Sequence, residues 1–174
     1  MSDIKKLIEN VLCDSGKDIA ELPVPLQSFN KIPTLKKGFY RDVSPMLKDR
    51  FRMFGSWVEA THGDWLSVEE MEMIWDSDLI VNERLWSIKN NQMAACKNWD
   101  NDASSLFKSE RLSLFAGSEF TYERIYLLWL DSEKEPELWV YDCNGESRYK
   151  NLESYLYAYL NDDVSACMKS WRAK

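Results

Sequence analysis

The residues able to do chemistry are few and scattered. His62, the only histidine, lies two positions from Asp64 in the run Thr61-His62-Gly63-Asp64. An imidazole beside a carboxylate is the smallest kit for general acid–base catalysis. No nucleophile in a recognisable setting stands near it in sequence, so the plain reading is a loop histidine with a local hydrogen bond. Carboxylate pairs occur throughout the chain. A glycosidase would need two of them at a defined separation in space, and nothing singles out such a pair. No catalytic residue is assigned. Cys13, Cys96, Cys143 and Cys167 are 83, 47 and 24 positions apart. A structural zinc site uses closely spaced Cys or Cys/His pairs. No metal or cofactor is expected, and four thiols without a framework read as free cysteines of a reducing compartment, the cytoplasm. Met71, Met73 and Trp75 look like a cofactor box at first sight. At helical spacing Met71 and Trp75 are core residues and Met73 faces out.

Charge gives the next constraint. The net charge is −7 over 174 residues. An acidic chain is poorly suited to replace counterions on phosphates, so nucleic acid is not an expected partner. A basic protein partner fits better, because complementary fields speed association. The charge is unevenly placed. Residues 31–52 hold seven Lys or Arg against two acids, whereas residues 64–102 hold nine acids against three bases. Residues 131–146 hold six acids against Lys134 alone. The basic stretch, with Phe39, Tyr40 and Phe51, is either a stacking surface for single strands or a surface that offsets the acidic body. The acidic stretch is either a docking face or a solvated helix surface. Within it, Asp76, Asp78, Trp99, Asp100 and Asp102 lie outside the helical apolar stripe. A Trp beside acids is the kind of anchor that dominates interfaces, so these five are the candidate partner-binding residues. The plainer reading puts Trp99 in the domain's own core.

These groups need a scaffold, and the sequence predicts one. Apolar residues make up 45% of the chain and Gly and Pro number only 6 and 5. That composition builds one core and argues against low complexity. The start, MSDIKKLIEN, has no apolar h-region, so no signal peptide is expected. No apolar run approaches the ~20 residues of a membrane helix. A first helix carries Ile4, Leu7, Ile8, Val11 and Leu12 inward and stops near Gly16. Residues 20–45 read as an irregular connector with apolar anchors. Ser44-Pro45 opens a second helix that Gly55 closes. Ser67-Val68-Glu69-Glu70 is a capping box. A further helical pattern runs from Leu79 to about Lys97 through Leu85, Ile88, Gln92 and Cys96. A short strand is expected over 112–116, and two aromatic strands over 123–131 and 137–143. Asn144-Gly145 ends the last of these. Asn151 caps a closing helix over 151–161, with Leu152, Tyr155, Leu156, Tyr159 and Leu160 on one face. The run from Ile125 to Leu130 does not alternate, so it should be a central strand buried on both faces. The fold class is α+β, with a mostly antiparallel sheet and helices packed on one side.

Four blocks carry a family resemblance. They are Trp65–Trp75 (WLSVEEMEMIW), Tyr126–Asp131 (YLLWLD), Pro136–Gly145 (PELWVYDCNG) and Asn151–Leu160 (NLESYLYAYL). In this order they resemble the SUKH superfamily, which includes fungal regulators of cell-wall synthesis and many bacterial immunity proteins of toxin systems. The resemblance covers roughly residues 64–162, and none of the blocks is a catalytic signature. The first third departs from the common pattern: Leu22-Pro23 is present, but no Asn-Gly follows it before residue 64. The resemblance implies a single domain over 1–174, with 1–63 its helical and irregular N-terminal part. It also implies a non-enzymatic, cytoplasmic immunity protein that binds a cognate toxin directly. Many toxins countered by this superfamily are nucleases, and an acidic inhibitor can mimic the phosphate surface such a toxin expects. A SUKH-like regulatory or scaffold protein is the alternative. A small hydrolase has no motif behind it.

Overall fold

A computed structural model of the chain describes residues 3–25, 29–76, 82–96 and 108–168. Helix α1 (Asp3–Asp14) buries Ile4, Leu7, Ile8, Val11 and Leu12, the five positions its periodicity selects. The chain reverses just beyond it at Gly16, φ +68°. Strands β1 (Lys31–Pro33) and β2 (Tyr40–Asp42) pair antiparallel as a small separate sheet. The connector expected over 20–45 is therefore partly ordered as a hairpin. Its apolar anchors hold at Ile32, which is fully buried, but Val24 is 80% exposed. Helix α2 (Pro45–Met53) starts at its proline and buries Leu47 and Phe51.

The main sheet takes the rest of the chain. It contains β3 (Trp57–Thr61), β4 (Gly63–Trp65), β5 (Leu112–Gly117), β6 (Arg124–Leu128), β7 (Glu137–Asp142), β8 (Gly145–Tyr149) and β9 (Cys167–Met168). Spatial order equals chain order, and every neighbouring pair is antiparallel. The three strands expected between 112 and 143 share this sheet, as predicted. Strand β6 is central, and all five of its residues are buried. Between β4 and β5 lie helices α3 (Val68–Met73) and α4 (Glu83–Cys96). The capping box forms as its spacing demands: Glu70 N donates to Ser67 Oγ, and Ser67 N donates to Glu70 Oε2. Leu85, Ile88 and Gln92 of α4 are buried. Helix α5 (Leu152–Leu160) is capped by Asn151, whose Oδ1 accepts from Ser154 N at 2.9 Å. It lies on β7 and β8, and α1 packs on both α5 and α2. The architecture is α+β. Among the described residues no helix is long and apolar enough to cross a membrane.

The centre of the core holds a cation. Arg50 is 0% exposed, and its guanidinium lies 4.3 Å from the Phe51 ring centroid and 4.4 Å from that of Phe54, with Trp65 and Phe115 beyond. It donates to the carbonyls of Phe54 (2.8 Å) and Leu66 (3.2 Å). Desolvation pulls its pKa down to about 9, with the Glu70 charge opposing the shift. It remains charged at neutral pH, held by ring faces and two carbonyls.

Candidate interaction site

The meander sets where the turns fall. One row of partners crosses the sheet through Asp64, Gly117, Arg124, Tyr141, Glu146 and Met168. Beyond that row, at one end, lie the β3–β4 turn at His62, the β5–β6 turn over 118–123, and the β7–β8 turn at Asp142–Gly145. Close approach of two glycines locks the first two together. A Cβ on Gly63, φ +95°, would sit 2.6 Å from the Gly117 carbonyl carbon. Only glycine fits there.

The β5–β6 turn is tightly organised. Ser118 Oγ accepts from Phe120 N and Thr121 N, both at 3.1 Å. Ser118 N donates to Glu123 O at 3.0 Å, and Glu123 N donates to Thr121 Oγ1 at 3.2 Å. From α4, the Asn91 side-chain amide donates towards the carbonyls of Ser118, Glu119 and Thr121 at 3.1–3.3 Å. This fixed backbone holds Phe120 81% exposed and Tyr122 59% exposed. Its flanks are Glu119 and Glu123. A rigid turn that shows aromatic rings to water, between acids, is what a preorganised anchor looks like.

His62 does not act locally. Its Nε2 lies 3.1 Å from Asp142 Oδ2 and its Nδ1 2.7 Å from the Tyr155 hydroxyl, residues 80 and 93 positions away. The expected local hydrogen bond is corrected, and the His62–Asp64 pairing set aside on sequence grounds does not form. Asp64 instead accepts from Glu59 N and pairs with Arg84 at 2.9 Å. Arg84 also pairs with Glu70, so that cluster ties α4 to β4 and α3. Sequence spacing could not find the His62 partners, because the sheet brings them together. The available signal was two glycine turns at strand ends, Thr61-His62-Gly63 and Asp142-Cys143-Asn144-Gly145.

The chain of polar contacts runs inward from the carboxylate. Trp65 Nε1 donates to Thr61 Oγ1 at 2.8 Å, and the Thr61 and Tyr155 hydroxyls are 2.7 Å apart. An ionised Asp142 only accepts, so Nε2 of His62 carries a hydrogen. The Tyr155 hydroxyl donates to Thr61 Oγ1 and lies within hydrogen-bond reach of His62 Nδ1. Tyr155 is fully buried, and desolvation holds its pKa well above the usual phenol range. Burial also raises Tyr149 and Tyr159, helped by the charges of Asp142 and Asp163 on the first and of Asp162 and Glu123 on the second.

Compared with protein-family models, curated proteins and solved structures, the chain has no match. Among the described residues no group of His, Cys, Asp and Glu is placed to hold a metal ion. Cys13, Cys143 and Cys167 are free thiols.

Of the five residues expected to bind a partner, Asp78, Trp99, Asp100 and Asp102 lie outside the described residues. Asp76 is exposed, 3.9 Å from Lys37 Nζ, and its carbonyl accepts from Lys89 Nζ at 2.6 Å. The basic stretch 31–52 is engaged within the fold. Arg41 pairs with Asp131 at 2.9 Å, Lys37 faces Asp76, and Arg50 is in the core. That is the offsetting role weighed for it. The aromatic turn at 118–123 was missed in sequence, because an exposed Phe between polar residues carries no periodicity.

Proposed function

We propose that this chain is a SUKH-type immunity protein that binds one basic protein toxin directly and neutralises it without catalysis. The observation that carries this reading is the 118–123 turn. The Asn91 amide, shared among three turn carbonyls, and four hydrogen bonds within the turn hold Phe120 and Tyr122 outward, beside Glu119 and Glu123. Ordering a loop costs entropy, and a loop ordered in advance lowers the cost of binding. Asp142, Asp162 and Asp163 continue the negative field across the same end of the sheet, which suits fast capture of a cation-rich partner.

The test starts with the gene directly upstream of this one. Its product is expressed in a bacterium with and without this chain. Protection by the wild-type chain, lost on Phe120→Ala with Tyr122→Ala, is the expected result. An upstream product that leaves growth unaffected, or full protection by the double variant, overturns the reading. A shift to slower association at higher salt distinguishes steering by the acids from contact through the rings alone.

A further inference from the structure

The end of α5, the β7–β8 hairpin and β9 enclose a cavity of about 180 Å³. Tyr149 and Tyr159 form its aromatic walls, with the fully buried Tyr155 packed behind them at ring-centroid distances of 5.4 Å and 6.2 Å. Asp142 lies on the inner side, and Asp162 and Asp163 are exposed at the rim. Among the described residues the lining contains no lysine or arginine. His62 is its one basic group. The hydrogen-bond chain behind it fixes Tyr155 and Asp142, so the cavity wall is set before anything enters.

Elsewhere the chain twice solves the problem of seating a guanidinium. Arg124 stacks over Tyr141 at 4.2 Å, and its Nη1 donates to Tyr122 O at 2.6 Å. Arg50 sits among four rings and donates to two carbonyls. The cavity has the same ingredients, ring faces beside oxygen acceptors, without a lysine or arginine of the chain's own. We infer that this cavity receives an arginine side chain from the basic partner. The planar guanidinium stacks on a tyrosine face, and its five donors reach the several oxygens around it. An ammonium is a compact point charge that cannot do both, so arginine is favoured over lysine. His62 lines the cavity, and its neighbour Gly63 abuts Gly117 and Ser118 at the start of the 118–123 turn. The partner would thus seat an arginine beside the Phe120 anchor. This assignment rests on the reading of a basic protein partner, but the site can be probed without that partner.

The probe is Nα-acetyl-arginine amide, titrated into the full chain. The readout is the ring-proton NMR signal of His62, unambiguous because the chain has one histidine. The arginine compound is expected to shift this signal saturably. The neutral isostere Nα-acetyl-citrulline amide should leave it in place. The lysine compound should bind about threefold or more weakly. Asp162→Asn with Asp163→Asn should weaken arginine binding about tenfold. These positions are exposed, and asparagine tolerates the positive φ of Asp162. Equal shifts from citrulline, equal binding of lysine, or an unchanged titration in the double variant overturns the arginine site. The protection assay does not depend on this titration. A silent cavity with protection still lost on Phe120→Ala and Tyr122→Ala refutes the arginine site and leaves the immunity reading standing.

Discussion

Arg50 and His62 are both basic side chains set among aromatic rings, yet they end differently. Arg50 is enclosed on all sides, and its Nη1 and Nη2 donate to the backbone carbonyls of Phe54 and Leu66 while Nε has no hydrogen-bond partner. His62 passes its hydrogen bonds outward as well as inward, from Tyr155 in the core to Asp142 on a cavity. The same chemistry closed on itself holds a core together. Opened at one end, it prepares a surface. Where a polar network terminates therefore says more about its use than which residues it contains.

The comparison can be broken from the closed side first. Arg50→Ala removes a buried cation, leaves two carbonyls without that donor and opens a hole between four rings. It should cost about 3–5 kcal/mol of stability in urea denaturation. A cost below ~1 kcal/mol would mean the core repacks around the loss, and the contrast with His62 would fail. Phe120→Ala tests the opposite end. It should reduce partner affinity by about 2 kcal/mol, as truncating an interface anchor does, and move stability by less than ~0.5 kcal/mol. Equal losses in folding and binding would mean the turn is structural. Surface plasmon resonance beside a denaturation curve separates the two.

Tyr155→Phe sharpens the comparison, because it cuts the His62 chain at its midpoint and leaves the ring. The expected loss at neutral pH is about 1–2 kcal/mol, from unpaired hydrogen-bonding groups on His62 and Thr61. Its pH dependence has a definite sign. The Tyr155 phenol is raised in the fold above its unfolded value near ~10. Its contribution is therefore complete below about pH 10 and is lost as pH rises toward the folded value. The stability gap between wild type and Tyr155→Phe should shrink above pH 10. A gap that stays constant across that range would show the hydroxyl is not protected by burial.

Much of the scaffold was legible in the sequence, for reasons that differ by element. Helices α1 and α5, the capping box and the strands β5, β6 and β7 carry long apolar patterns or clear caps, and these fix local structure on their own. Strands β3 and β4 were not legible. They are short, Glu59 sits at φ +53°, and the register shifts between Trp57 and Thr61, which destroys alternation. Strand β8, Gly145–Tyr149, reads as polar because only Ser147 of its five residues is buried. Strand β9 is two residues long. The hairpin β1–β2 hid among prolines. The cavity lay beyond spacing altogether, because its walls come from β8, α5, β9 and two turns that only the folded sheet aligns.

One feature of that sheet bears on how the molecule is made. Its strands lie side by side in the order in which a ribosome would release them. Hairpins β3–β4, β5–β6, β6–β7 and β7–β8 each close a short loop. Joining β4 to β5 instead spans the chain between Trp65 and Leu112, and β8 meets β9 only across α5. Loop closure costs grow with the length enclosed, and distant pairings slow folding. The β5–β8 meander can therefore zip first, with β4 docking onto it through the Gly63–Gly117 contact. Gly63→Ala should then speed unfolding far more than it slows folding, a chevron asymmetry that places the joining of the two parts late on the route.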